Sequence, residues 1–232
     1  MSNTKINSNK KGKAAFVINI IIFIFEFIAV FLCYQHGGFF NIRYYTVLSN
    51  LFAMFGCACY VVYYCKNKDK EMPYWIKIVR YMSTTCLALT FVVVFTILIP
   101  MVIPYENGVY KLLLEGPQLF HHILCPLLSV FSFGILEEGK PSHKDVCIAI
   151  IPTLLYALVF IILNIARVVE GPYPFLKVYE QSVFASILWF IIIVGVAVIL
   201  AYLIKLLTKL MDRKSKRDKN SNEDLTENIE MV

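Results

Sequence analysis

The sequence has little charge, and this scarcity excludes most classes of soluble protein. Asp, Glu, Lys and Arg make up 16% of the 232 residues, whereas 59% of the residues are hydrophobic. Soluble domains contain about 25% charged residues. The charges here lie mainly between long apolar runs, which is typical of a chain that crosses a membrane several times. We therefore expect membrane lipids as partners and no nucleic acid, despite the net charge of +6.

The sequence also lacks a metal-ligand pattern. Its seven cysteines include no Cys-x-x-Cys pair, and Cys57 and Cys59 point to different sides of a helix because they are two residues apart. Cys125 has a histidine nearby, His121, but this single pair does not make a metal site. We interpret the cysteines as small packing residues and expect no metal and no cofactor.

Six apolar runs are long enough to cross a hydrocarbon core, which takes about 20 helical residues. Unpaired backbone groups are too costly in lipid, so each run is predicted to be a helix. The predicted fold class is an all-α, polytopic membrane protein with six transmembrane helices. The runs are residues 14–34, 44–65, 79–103, 118–136, 146–166 and 182–203.

No small-residue cleavage site follows the first run, so we expect this run to be retained and not removed as a signal peptide. The polar residues 1–13 are predicted to form a disordered basic N-terminus. Residues 14–207 are predicted to form the six-helix transmembrane domain, and residues 208–232 a charged cytoplasmic tail.

Lysine and arginine are scarce on one side of the predicted helices. That side holds Arg43, Lys111, Arg167 and Lys177, and the other 18 of the 22 cations belong to the opposite side. Excess cations mark the cytoplasmic side. We therefore predict a multi-pass protein of the cell membrane with both termini in the cytoplasm, and we call the cation-poor side the outer side.

Several polar side chains interrupt the apolar runs near this outer side. Glu26 lies twelve residues after the start of the first run, about 18 Å into the membrane at 1.5 Å per residue. A carboxyl group at that depth indicates a functional site, although a protonated or paired structural carboxyl that fixes helix packing is the alternative. In the second run Thr46, Ser49 and Asn50 have the i, i+3, i+4 spacing that places them on one helix face.

The fourth and fifth runs add further polar groups at the same depth. His121 and His122 begin the fourth run and point about 100° apart, and Pro126 is predicted to kink that helix. Asn164 and Arg167 are predicted to share a face at the end of the fifth run. With Tyr173 in the following loop, these residues are predicted to form a polar pocket.

The polar groups are predicted to lie on one side only, since the inner halves of the runs hold hardly any comparable residue. A channel or transporter needs polar groups across the whole membrane depth. A pocket at a single interface favours binding of, or chemistry on, a molecule whose tail lies in lipid. A transporter is the third alternative.

The same residues resemble those of the androgen-induced-gene family of intramembrane hydrolases, in its bacterial branch. The resemblance is carried by Thr46 at an outer helix start, by His121 with Pro126 five residues later, and by the segment 173–176, Tyr-Pro-Phe-Leu. It covers residues of about 14–207. Eukaryotic members carry an acidic residue where this chain has Ser49, which places the chain nearer the bacterial branch.

This resemblance implies that Thr46 is a nucleophile and His121 its base in the hydrolysis of fatty-acid or lipid esters, with an amphiphilic acyl ester as substrate. A threonine hydroxyl needs such a base, and a neutral histidine can accept its proton. Glu26 is a candidate to orient the imidazole. The remaining pocket residues are candidate substrate-binding groups: Ser49, Asn50, His122, Asn164, Arg167 and Tyr173. The alternative is a non-catalytic protein that binds a lipid or small amphiphile.

Overall fold

The computed structural model describes residues 2–67 and 70–230, with the side chains of residues 10–35, 37–67 and 70–217. The protein is 82% helical, and the described part of the chain contains no strand. The all-α prediction is therefore confirmed.

The described residues form seven helices and two short 3₁₀ turns. The turns are Gly38–Arg43 and Pro174–Leu176. In chain order the helices are α1 Ser2–Gly37, α2 Tyr45–Lys66, α3 Tyr74–Val102, α4 Gly108–Leu113, α5 Phe120–Leu136, α6 His143–Ile165 and α7 Val183–Glu230.

Five of these helices, α1, α2, α3, α6 and α7, are long and apolar enough to cross a membrane. Such lengths and compositions confirm a helical membrane protein. The helix α5, which corresponds to the fourth predicted span, is apolar but has only 17 residues. The count of six spans therefore stays a prediction.

The two terminal helices extend beyond the predicted transmembrane domain. Helix α1 includes residues 2–13, for which the composition predicts disorder, and α7 includes residues 208–230 of the predicted tail. Extending an existing helix adds one hydrogen bond per residue without a new nucleation cost, so the polar flanks continue the apolar helices. Met1 and residues 231–232 lie outside the described residues.

Three π-helical turns occur in the described helices. Ser132–Leu136 ends α5, and the other two lie just before a proline. Val94–Leu98 precedes Pro100, and Phe120–Leu124 precedes Pro126. A proline has no N–H and its ring clashes with the carbonyl one turn earlier, so the backbone widens locally to an i→i+5 pattern. The kink predicted at Pro126 takes this form, and it lies at the two histidines.

The bundle is organised around α3 and α5. Helix α1 packs on α2 and α5, α2 packs on α3, and α6 and α7 cover the other face of α3. The loops divide into two sets at opposite ends of the bundle. We call the end with residues 38–44, 103–119 and 166–182 the outer end, and the end with residues 70–73 and 137–142 the inner end.

Candidate functional site

A cavity of about 520 Å³ lies between α3, α6 and α7 near the outer end. Ligand sites in proteins commonly have volumes of about 300–1,000 Å³. Most of its wall is aliphatic or aromatic, including Phe175 and Trp189. The cavity therefore fits an apolar chain.

Hydroxyl groups are grouped on the wall of the cavity beside α2. The Tyr45 hydroxyl lies 2.8 Å from Thr153 Oγ1, and Thr46 Oγ1 lies 3.4 Å from the Tyr173 hydroxyl. All four residues line the cavity, as does Thr90. We call these five residues the hydroxyl wall. Their hydroxyl groups can form hydrogen bonds to a polar group on an otherwise apolar ligand.

Tyr173 supports the start of α2. The backbone N–H of Thr46, in the first turn of α2, has no partner inside the helix, and it donates to the Tyr173 hydroxyl at 3.3 Å. Burial raises the pKa of the Tyr173 phenol, so this hydroxyl keeps its proton at neutral pH. Tyr173 and Thr46, both singled out in the sequence, are thus brought together.

The cavity is open between the outer ends of α6 and α7. Ile165, Val183 and Ile187 all belong to its lining, yet each is more than half exposed. A residue that lines a cavity and is also exposed lies at its mouth. An apolar molecule in the surrounding lipid therefore has a lateral route to the hydroxyl wall.

Ser49 and Asn50 face into the bundle. Ser49 Oγ lies 3.0 Å from Thr90 Oγ1 and donates to the Thr46 carbonyl at 3.0 Å. Asn50 Nδ2 donates to the Thr46 carbonyl at 2.6 Å and to the His121 carbonyl at 3.4 Å. Neither residue belongs to the cavity lining. Asn50 instead connects the backbones of the two residues predicted to be catalytic.

His121 is turned toward α1 and not toward the cavity. Its Nε2 lies 3.7 Å from Glu26 Oε2, and the two side chains are 1% and 0% exposed. In the described part of the structure no hydrogen bond joins Thr46 Oγ1 to His121, whose Nε2 has no hydrogen-bond partner. The structure thus pairs Glu26 with His121 and Thr46 with Tyr173, while Asn50 lies between the two pairs.

His122 holds the outer loop. Its Nδ1 lies 2.7 Å from the Leu112 carbonyl oxygen at the end of α4. The side chain is buried and does not line the cavity. The two adjacent histidines therefore have different surroundings, as their angular separation predicts.

Asn164 and Arg167 do not line the cavity either. Asn164 Nδ2 donates to the Val169 carbonyl at 3.1 Å, and its Oδ1 accepts from the Val178 N–H at 2.9 Å. Helix α6 ends at Ile165, and Arg167 has a left-handed backbone with φ of 56°. The expected shared face of Asn164 and Arg167 is therefore absent.

The loop after α6 is fixed by these residues and by surface charges. The Arg167 guanidinium lies over the Tyr179 ring at 4.7 Å. Lys177 Nζ lies 2.7 Å from a Glu170 carboxylate oxygen, and this hydrogen bond holds the pKa of Glu170 below its ordinary value. The sequence places these groups at the correct end, but they position the loop that carries Tyr173 and do not contact the cavity.

A second buried polar group lies near the inner end, where the sequence predicts hardly any. The Arg80 side chain is fully buried, and its guanidinium lies 2.9 Å from Glu137 Oε1. The same oxygen accepts from Asn19 Nδ2 at 2.9 Å and from Ser132 Oγ at 2.8 Å. The expectation of polar groups on one side only is therefore wrong.

A cation near a helix end usually lies at the membrane interface, so the sequence alone does not indicate that Arg80 is buried. Arg80 lies six residues after the start of α3, and its partner Glu137 directly follows α5. The opposite charges of Arg80 and Glu137, near the same end of two helices, were the feature of the sequence that could have predicted this ion pair. We call Asn19, Arg80, Ser132 and Glu137 the inner network. An apolar layer lies between this network and Glu26 with His121, and Arg80 Nη1 reaches the layer by donating to Cys57 Sγ at 3.3 Å. The layer contains Ile22, Ala53, Cys57, Leu87 and Cys125.

No family model, curated protein or solved structure matches this chain. The resemblance described above and the roles it implies therefore stay predictions.

Proposed function

We propose that this protein binds a lipid or small amphiphile with a single apolar chain in the cavity between α3, α6 and α7. The observation that carries this proposal is the combination of an apolar volume of about 520 Å³ with a hydroxyl wall at Thr46 and Tyr173. The chain occupies the apolar part, and the polar group accepts or donates hydrogen bonds at the wall. The mouth between α6 and α7 lets the ligand enter from the lipid.

We place this site in the outer leaflet of the cell membrane, in a six-span protein with both termini in the cytoplasm. The distribution of lysine and arginine supports this orientation. The 17 residues of α5 reach the lower limit of about 17 residues for a membrane-crossing helix. The alternation of the loops between two ends of the bundle agrees with six crossings.

Trp189 in the cavity wall supplies a direct binding assay. The chain has two tryptophans, and Trp75 lies at the start of α3 near the inner end, so Trp75→Phe leaves Trp189 as the only reporter. In nanodiscs of ordinary lipid, a single-chain amphiphile with a brominated tail is expected to quench Trp189 saturably. The unbrominated amphiphile is expected to reverse the quenching.

A matched pair of variants tests the location. Ala157 is buried in the lining, so Ala157→Phe fills the cavity and is expected to remove saturable quenching. Ala185→Phe adds the same ring on α7 outside the lining and is expected to leave the saturable quenching unchanged. Equal quenching in both variants, or quenching that rises linearly without saturation, would contradict the proposal.

The second candidate function is hydrolysis of a fatty-acid or lipid ester by Thr46 and His121. The observation that favours it is that Asn50 binds the carbonyl oxygens of both residues, which holds them on adjacent turns of neighbouring helices. Thr46 Oγ1 would bond to the ester carbonyl carbon, the bond to the alcohol would break, and His121 would carry the threonine proton to the alcohol. Water would then release the acid.

The present orientation of His121 does not exclude this reaction, because catalytic hydrogen bonds often form only with substrate bound. A fluorophosphonate probe tests it, since the probe bonds covalently to an activated hydroxyl and releases fluoride. Wild-type protein is expected to be labelled and Thr46→Ala to be unlabelled. Labelling of Thr46→Ala at the wild-type level, or saturable amphiphile binding without any labelling, would leave the binding function alone.

A further inference from the structure

Three side chains in the centre of the bundle have polar atoms that lack an N–H or O–H partner. They are both carboxyl oxygens of Glu26, Nε2 of His121 and Oδ1 of Asn50. The three residues are 0%, 1% and 0% exposed. Buried polar groups are hydrogen-bonded in the great majority of cases, so an unpartnered group of this kind indicates a missing partner.

The three residues belong to one layer of the bundle. Ile22, Ala53 and Cys125 pack together in the apolar layer. One turn farther toward the outer end, the same three helices present Glu26, Asn50 and His121. The distance of 3.7 Å between Glu26 Oε2 and His121 Nε2 confirms that α1 and α5 meet there.

Among the described residues, the donor beside Glu26 is the S–H of Cys125, and a thiol is only a weak donor. No N–H or O–H reaches the free acceptors of the layer. Asn50 Nδ2 donates to the carbonyl oxygens of Thr46 and His121, which fixes Oδ1 as a free acceptor, since the reverse orientation would set oxygen against oxygen. The Glu26 oxygens are also acceptors when ionised. A proton is the smallest ligand that supplies the missing donor.

Among the residues that the structure describes, no fixed positive charge is paired with Glu26. Helix α2 contributes Cys57, and α5 contributes Cys125, His122 and His121 as the titratable neighbours. His122 is bound to the Leu112 carbonyl. Arg80 of α3 is paired with Glu137 and donates to Cys57 Sγ. An uncompensated ion at the depth of Glu26 is strongly unfavourable.

We propose that Glu26 is a carboxylic acid in the resting protein and that it shares its proton with Nε2 of His121. The pair is neutral with the proton on Glu26 Oε2. Transfer to Nε2 leaves a carboxylate beside an imidazolium and keeps the net charge of the pair unchanged. The ligand of this site is therefore one exchangeable proton, held inside the membrane between α1 and α5.

This assignment goes beyond amphiphile binding and does not depend on it. It gives His121 a proton partner in the bundle that is distinct from Thr46. If Thr46 and His121 also hydrolyse esters, the proton shared with Glu26 must stay on the carboxyl group and turn away from Nε2 before that nitrogen accepts the proton of Thr46.

Infrared spectroscopy tests the proposal without any ligand. The protein is grown with ¹³C-carboxyl glutamate, placed in nanodiscs at pH 7.5 and compared with Glu26→Gln. Exposed glutamates titrate near pH 4.3, so only about one in a thousand of them is protonated at this pH. We expect the carbonyl band of one ¹³C-labelled carboxylic acid in the wild type and no such band in Glu26→Gln.

Histidine variants test the partner of the proton. His121→Gln is expected to shift the frequency of the acid band, because its hydrogen-bond acceptor changes, whereas His122→Gln is expected to leave the band in place. If Glu26→Gln does not fold, Glu26→Asp serves instead, since it removes the labelled band and adds an unlabelled one.

Two results would overturn the proposal. Absence of an acid band in the wild type would show that Glu26 is ionised. A band that keeps its frequency in His121→Gln would show that the proton is not shared with His121. Both results are independent of Trp189 quenching and of fluorophosphonate labelling, so they leave the proposed function untouched.

Discussion

At the scale of single residues, the site is organised by side chains that bind backbone groups. Tyr173, Asn50 and His122 each contact a backbone N–H or carbonyl of another element. Such contacts hold a residue in position and have less effect on its reactivity. Of the three, Tyr173 lines the cavity and Asn50 and His122 do not, so the position of the hydroxyl wall also depends on residues outside the cavity.

Tyr173→Phe removes the hydroxyl that accepts the Thr46 N–H. We expect the free energy of unfolding to fall by about 1 kcal/mol, the typical net value of one hydrogen bond, and the affinity for the brominated amphiphile to fall as well. Thermal unfolding and Trp189 quenching measure the two effects. Tyr105→Phe, which changes an exposed tyrosine at the same end, should alter neither.

The two adjacent histidines are separable by mutation. If the protein is a hydrolase, His121→Ala should lower ester turnover by at least about 10²-fold, the typical loss for a general base. His122→Ala should mainly lower stability, since its ring holds the Leu112 carbonyl. Turnover of lipid esters in nanodiscs is measured together with folded yield, and equal losses at unchanged yield would contradict the assignment.

At the scale of elements, the loop after α6 is the structure that brings Tyr173 to the cavity. Asn164→Ala removes both of its side-chain hydrogen bonds to the loop, so trypsin should cleave after Arg167 and Lys177 faster than in the wild type. Asn164→Asp keeps the acceptor for the Val178 N–H and should be intermediate. A cleavage rate that is unchanged in Asn164→Ala would mean that the prolines of the loop suffice to fix it.

Helix positions follow from the sequence far better than the contacts between helices. The run 44–65 differs from α2, Tyr45–Lys66, by one residue at each end, because twenty apolar residues in lipid have only the helix available. The contact of Tyr173 with Thr46 joins residues 127 positions apart, and periodicity contains no information on such pairs. The end of α6 before Arg167 could not be predicted either. Arg167 ends the helix with a left-handed backbone conformation that is usual for glycine.

At the scale of the whole molecule, the buried pair of Arg80 and Glu137 joins α3 to α5. Arg80→Met leaves a buried carboxylate without its partner, and we expect a loss of about 3–5 kcal/mol in the free energy of unfolding. The double variant Arg80→Met, Glu137→Leu should recover most of this loss, because it removes both charges. Lys140→Ala breaks an exposed pair with Asp212 and should cost less than about 1 kcal/mol.

Stability in detergent is measured by thermal unfolding of the four proteins, wild type included. A double variant as unstable as Arg80→Met would show that the rest of the network, with Asn19 and Ser132, needs the charges.

The distribution of lysine and arginine predicts the orientation of the whole chain in the membrane. Reporter fusions after residue 140 and after residue 110 should report the cytoplasmic side and the outer side respectively, since 18 of the 22 cations belong to the side of residue 140. The opposite pattern would reverse the orientation, and the same side for both positions would mean that α5 does not cross the membrane.

The pair of Arg80 and Glu137 also sets an order of events during synthesis. The two residues are 57 positions apart, so the ribosome delivers Arg80 in α3 well before its carboxylate exists. A lone guanidinium in lipid is costly, so we expect α3 to remain near the translocation channel or the surface until α5 emerges. We then expect the helices α3 to α5 to enter the bilayer together, and α3 to insert less stably in a chain truncated before residue 137.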